Sequence, residues 1–264
     1  MLLQNKTAVI YGAAGAIGQT IARTFAREGA RVFITGRNKN AIQALAKEIH
    51  ASRGFAEAQV VDALDEKAVN DHLQELIKKE GRIDISFNAI GIPQTGVQGI
   101  PLTALMPEAY MHPIISYNRS HFITATAAAR QMMLQQSGII FTLTSVPSKL
   151  SIPLMGGMSP AWAGLEAMTR TLAGESGAHG VRVVCLRVHG MPETDTITEV
   201  FGLHAKGEGF PSHKEYQAVT EQFTLLKRLP KLSELANTAA FIASDKAGII
   251  TGTVINLSGG AVVD

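Results

Sequence analysis

Residues 11–18 of this 264-residue chain read Tyr-Gly-Ala-Ala-Gly-Ala-Ile-Gly, directly after the apolar run that ends at Ile10. A glycine-rich turn between a strand and a helix lets the backbone fold tightly and meet a pyrophosphate. The free amides and positive dipole end of the helix hold the phosphate charge. Gly12, Ala14, Gly15, Ile17 and Gly18 are therefore candidate cofactor residues. The next β-rich run, RVFITG, closes on Gly36 and Arg37 with no carboxylate. A carboxylate there would take a free ribose 2′-hydroxyl, whereas a guanidinium pairs with a 2′-phosphate, so the pattern favours NADP(H) over NAD(H). Asp62 and Ala63 close the run AQVVDA and are expected beside the adenine, although Asp62 also suits a plain turn.

Redox chemistry on a carbonyl also needs a proton source. Tyr117 and His121 lie four apart in a helical pattern, hence on one face, and an inward Tyr117 is a candidate acid. His189, in RVHGMPET, is of the type whose ordinary pKa of about 6.5 suits acid–base work. Lys149, four residues after Ser145, reads as a solvated loop cation. His204 and His213 lack the spacing to a carboxylate that a metal site requires, and no metal is expected.

The elements that must position these residues follow from periodicity. TAVIYG, RVFITG, AQVVDA, IDISFNAIG, IIFTLTS, VRVVCLRV and GTVINLSG read as seven strands. Helical patterns separate them, among them one with apolar Val69, Leu73, Leu76 and Ile77 at the spacing of a single face. Nearly continuous apolar strands require helices on both sheet faces, and strict alternation implies a doubly wound, parallel, Rossmann-like α/β sheet. No linker divides the chain, so residues 1–264 are expected to form one dinucleotide-binding domain.

Composition narrows the setting. Hydrophobic residues make up 46% and charged residues 17%, and a net charge of +2 gives no argument for nucleic acid or a membrane surface. The single cysteine, Cys185, excludes an internal disulfide. With no basic leader at the start and no run of about 18 apolar residues, a cytoplasmic protein is expected.

Taken in order, these segments resemble the short-chain dehydrogenase/reductase family over about residues 5–262. YGAAGAIG stands where that family has its TGxxxGxG loop, and FNAIG resembles its NNAG, keeping Asn88 and placing Ala89 next. Ser145, closing GIIFTLTS, matches the family's active-site serine, and INLSGG resembles its closing segment. The resemblance then breaks. The family's YxxxK tyrosine falls on Met158 and its lysine on Trp162, with the helix GLEAMTRTLAGE in register behind them. A thioether has no proton to give and an indole N–H is a very weak acid, so the usual relay is absent. The family's asparagine on the central helix corresponds to Asn118 by residue type and to Tyr117 by gap-free counting. His189 would border the nicotinamide, and Thr194 would reach its carboxamide.

The resemblance further implies a substrate lid over about residues 195–230, whose glycine content suits mobility, and a homo-oligomer built through the central helix and the one after it. The leading reading is an NADP(H)-dependent oxidoreductase acting on a small carbonyl, imine or activated alkene with an atypical proton source. The alternatives are a dinucleotide-binding regulator without turnover and a non-redox enzyme on the same scaffold.

Overall fold

A computed structural model describes residues 1–263. Seven strands occur in chain order: β1 (Thr7–Tyr11), β2 (Arg31–Gly36), β3 (Phe55–Val60), β4 (Ile85–Asn88), β5 (Gly138–Ser145), β6 (Val181–Val188) and β7 (Thr253–Leu257). They form one parallel sheet in the order β3-β2-β1-β4-β5-β6-β7. Chain direction across the sheet reverses between β1 and β4, the switch point outside which ligands bind in such sheets.

Alternate residues of each strand feed opposite cores. Ala8 and Ile10 point to the face covered by α1 (Ala16–Arg27), α2 (Lys39–Ala51) and α8 (Leu232–Ala243), where Ile21, Phe25, Leu45 and Ala239 meet them. Val9 and Tyr11 point to the face covered by α3 (Glu66–Glu80), α4 (Pro107–Gln135) and α5 (Met158–Ser176), where Val69, Leu73, Ile123 and Leu172 pack. Two further helices, α6 (Asp195–Glu208) and α7 (His213–Gln222), lie between β6 and β7.

Register fixes the functional edge. Tyr11 lies opposite Asn88, and Ser145 opposite Val188. The segments that leave β1, β4, β5 and β6 therefore emerge along one carboxyl edge of the sheet. Two differences from the sequence reading have local causes. The third strand spans 55–60 rather than 58–63, because the Asp62 carboxylate accepts the Leu64 N–H at 3.0 Å and turns the chain. The glycine-containing stretch after Thr194 is helical, capped by Thr194 and by Ser212. Gly209 ends α6 in the left-handed conformation, φ +79°, a geometry that costs glycine least.

Candidate functional site

At the end of β1 the chain turns at Gly12, φ +72°. A Cβ there would lie 2.7 Å from the Ala89 and Ile90 backbones, so this close approach of two strand ends requires glycine. Gly15 caps α1 without any side-chain bond, leaving the first amides of the helix open. Gly12, Ala14, Gly15 and Ile17 line a cleft that continues past Arg37, Asp62, Ala63 and Ala89. This geometry fits a dinucleotide: a bare helix N-terminus for the pyrophosphate and an exposed guanidinium at the end of β2. Among the described residues Arg37 makes no hydrogen bond or ion pair.

The cleft, about 1120 Å³, runs on to Ser145, Met158, Trp162, Tyr117, His189 and Thr194. Met158 begins α5 and is fully buried, and Trp162 lies one turn on, on the same face. The Trp162 and Tyr117 rings stand 6.2 Å apart. Ser145 ends β5 with its hydroxyl uncommitted to any described residue.

Burial governs the candidate acids. It pushes the Tyr117 phenol up to about 12, only partly offset by hydrogen bonds from the Ile92 backbone and the Gln94 side chain. It pushes His121 down to about 4, against the pull of the Tyr117 carbonyl 3.0 Å from Nδ1. It does the same to His189, whose Nδ1 accepts the Gly190 N–H at 2.6 Å. His189, a candidate acid on its ordinary pKa of about 6.5, is therefore moved out of that range by burial. It stands beside the cleft, but desolvation keeps its imidazolium from forming at neutral pH.

Three other sequence candidates do not line the cleft. Asn118 turns away from it, its amide donating to the Ile114 and Ala161 carbonyls at 3.0 and 3.2 Å and binding α4 to α5. Tyr117 takes the inward position, as the gap-free count implies. Asn88 is buried between the Thr124 hydroxyl and the Ile90 N–H, both at 3.0 Å, and so shapes the loop that carries Ala89. Gly18 packs α1 against the turn, since a Cβ there would sit 2.6 Å from the Gly12 carbonyl oxygen. Thr194 lines the cleft but spends its hydroxyl on capping, accepting the Ile197 N–H at 3.2 Å and donating to Met191. Lys149 is exposed and does not line the cleft.

Two supporting networks escaped sequence reasoning. Glu166 and Arg187 form a fully buried bidentate pair at 2.7 and 2.8 Å, and Ser148 and Thr144 also donate to Glu166. This cluster pins the turn after Ser145 to α5 and β6. The signal was Arg187 inside the apolar run VRVVCLRV and Glu166 inside AGLEAM. The second network joins the floor to α6 and α7. Gln94 contacts Tyr117, Gln98 donates to Gln94, and the His204 Nε2–H faces the Gln98 oxygen at 3.1 Å. Beside it, Glu199 accepts from the Thr95 N–H and hydroxyl. Among the described residues no group of three or more His, Cys, Asp or Glu is placed to hold a metal ion, and no helix is long and apolar enough to cross a membrane.

A parallel sheet of this order with a glycine turn at its switch point defines the dinucleotide-binding class of α/β proteins. Residues 12–262 match the family model described as enoyl-(acyl carrier protein) reductase. The chain is 31% identical over 258 residues to the uncharacterized oxidoreductase YxbG of Bacillus subtilis, covering 98% of this chain and 91% of the relative. It is 28% identical over 264 residues to the 3-oxoacyl-[acyl-carrier-protein] reductase FabG of Thermotoga maritima, covering 100% of both. The fold matches NAD+-bound xylitol dehydrogenase with a TM-score of 0.92 at 21% identity, over 98% of this chain and 100% of that one. The chain belongs to the short-chain dehydrogenase/reductase family and is an oxidoreductase of the NAD(P)-dependent class.

Proposed function

We propose that this chain is an NADP(H)-dependent oxidoreductase that works on a small organic carbonyl, imine or activated alkene without a tyrosine–lysine proton relay. The observation that carries the reading is the continuous cleft. It begins at a bare helix N-terminus beside the unpaired Arg37 and ends at Ser145, Met158 and Trp162. The bound cofactor supplies or accepts a hydride. Gly12, Ala14, Gly15 and Ile17 shape the pyrophosphate seat, Arg37 meets a 2′-phosphate, and Asp62, Ala63 and Ala89 border the adenine and ribose.

The Ser145 hydroxyl orients a substrate oxygen or nitrogen by hydrogen bonding. Met158 and Trp162 provide an apolar floor and an aromatic face, which exclude water and stack on a planar group. Tyr117 holds its proton too tightly, and His121 and His189 are neutral, so none matches the near-neutral pKa of an efficient general acid. This favours substrates that need little acid help at the reacting atom. We further propose that α6 and α7 act as a lid over a single dinucleotide-binding domain. Exposed Met111, Ile115 and Phe122 along α4 support a homo-oligomer. Cytoplasmic residence accords with the buried Cys185 thiol, which burial pushes up to about 11.

Titration with NADPH and NADH tests the reading, followed by Trp162 fluorescence, since this is the only indole. Quenching at micromolar NADPH, with weaker binding of NADH, is expected. No response to either dinucleotide would refute it.

A further inference from the structure

The far end of the cleft has an unusual charge balance. Of the side chains that line it, only Arg37, Asp62 and Glu208 are guanidinium or carboxylate, and the first two belong to the cofactor end. Glu208 closes α6, its side chain 27% exposed. Its described neighbours are His204 Nδ1 at 3.5 Å and Tyr216, whose phenol pKa is pushed up by burial and by the Glu208 charge.

His204 does not neutralise this carboxylate. Gln94 donates through its amide to the Ile92 carbonyl, so its oxygen must face Gln98. Gln98 then donates to Gln94 and turns its own oxygen toward His204 Nε2, which must carry a hydrogen. Nδ1 of the neutral ring is left with a lone pair, and it accepts from the Tyr216 hydroxyl at 3.3 Å. Burial lowers the pKa of His204 and so favours that neutral form, against the opposing pull of Glu208. Glu208 thus has no cationic partner among the described residues.

Aromatic rings surround the same wall. The Tyr216 ring centre lies 5.4 Å from that of Phe210, 5.5 Å from Phe201 and 5.6 Å from His204, and all four residues line the cleft. A carboxylate beside ring faces attracts an organic ammonium group through both charge and ring quadrupoles. The same wall repels carboxylates and phosphates.

We infer that Glu208, with Tyr216 and Phe210, forms a subsite for a protonated amine carried by the substrate, remote from the carbon that reacts at Ser145 and Trp162. The inference rests on the oxidoreductase reading for its place in catalysis, but not for the binding itself. It assigns a cationic, amine-bearing class of small substrate.

Three alcohols of one shape test it at neutral pH: 1-methylpiperidin-4-ol (cation), cyclohexanol (neutral) and 4-hydroxycyclohexanecarboxylate (anion). Isothermal calorimetry on the full chain without cofactor reads the subsite alone, and NADP+ reduction reads turnover. The expected result is cation binding at least about tenfold tighter than neutral, with the anion weakest, where a factor of ten is about 1.4 kcal/mol. Glu208→Gln should erase most of that advantage while leaving cyclohexanol unchanged. Phe210→Leu, which keeps the charge, should weaken the cation about threefold. Equal binding of cation and neutral alcohol, or an unchanged preference in Glu208→Gln, would overturn the subsite. Glu208-dependent cation binding without NADP+ reduction would leave the subsite standing and count against the oxidoreductase reading. Reduction of NADP+ by cyclohexanol with no preference for the cation would do the reverse.

Discussion

Arg187→Met should destabilise the protein by about 3–5 kcal/mol, because it strands the Glu166 carboxylate in the interior. The side chains of both partners are at most 4% exposed, and the two Arg187–Glu166 bonds of 2.7 and 2.8 Å would be lost together. At about 2–4 °C per kcal/mol for a chain of this size, the melting temperature should fall by roughly 6–20 °C. The double variant Glu166→Met/Arg187→Met removes both charges and deprives the Thr144 and Ser148 hydroxyls of their Glu166 acceptor, at about 1 kcal/mol each. It should therefore be more stable than the single variant by at least about 1 kcal/mol.

The pH dependence supplies a sign. In the parent protein burial alone would raise the Glu166 pKa, but hydrogen bonds from Arg187, Ser148 and Thr144 and the Arg187 charge outweigh it and hold the pKa low. A depressed folded value contributes stability that is present above the unfolded pKa of about 4.3 and is lost as pH falls through the folded value. In Arg187→Met burial prevails and the folded pKa rises above the unfolded one. The penalty is then complete at high pH and fades as pH falls toward about 4.3. Urea denaturation of the three proteins between pH 4 and 8 measures this. An Arg187→Met cost below about 1 kcal/mol, or a double variant less stable than the single, would show that no stranded buried charge dominates.

Arg37→Ala should weaken NADPH by about tenfold or more and leave NADH within about twofold, as measured by fluorescence titration; equal losses would remove the basis for the 2′-phosphate assignment. Met158→Tyr with Trp162→Lys should raise ketone reduction by at least about tenfold, since general acid catalysis is typically worth 10²–10⁴-fold. A folded double variant with no gain in NADPH consumption would count against a missing relay as the limitation. Acid should destabilise the fold through its buried histidines. His72, His121 and His189 are each pushed down to about 4 by desolvation, so their contribution is intact above the unfolded pKa of about 6.5 and is lost as pH falls toward 4. A melting temperature that stays constant from pH 7 to pH 4.5 would contradict that placement.

The sheet was legible because its strands are mostly apolar runs of four to eight residues between helical patterns, and the glycine turn fell at the one place where a crossover leaves the first strand. The positions of Gly12, Gly15 and Arg37 were legible for the same reason: they follow strand ends, where backbone position fixes the side chain. The far end was less so. Whether Tyr117 or Asn118 faces inward depends on helix rotation, settled by Asn118 bonding to Ala161 across the α4–α5 seam. His189 reads as an ordinary titrating histidine until its burial is known. The chain from Tyr117 through Gln94 and Gln98 to His204 joins residues up to 110 positions apart, and no periodicity records it. Glu208 and Tyr216 carry no motif either, and they acquire meaning only because α6 and α7 fold beside each other.

A crystal structure of this protein with NADP+ tests the proposed cofactor placement most directly. The pyrophosphate is expected at the N-terminus of α1, the 2′-phosphate against Arg37 and the nicotinamide between Ser145, Met158 and Trp162. A dinucleotide bound with its nicotinamide away from Trp162, or no dinucleotide in the cleft at saturating concentration, would contradict this placement.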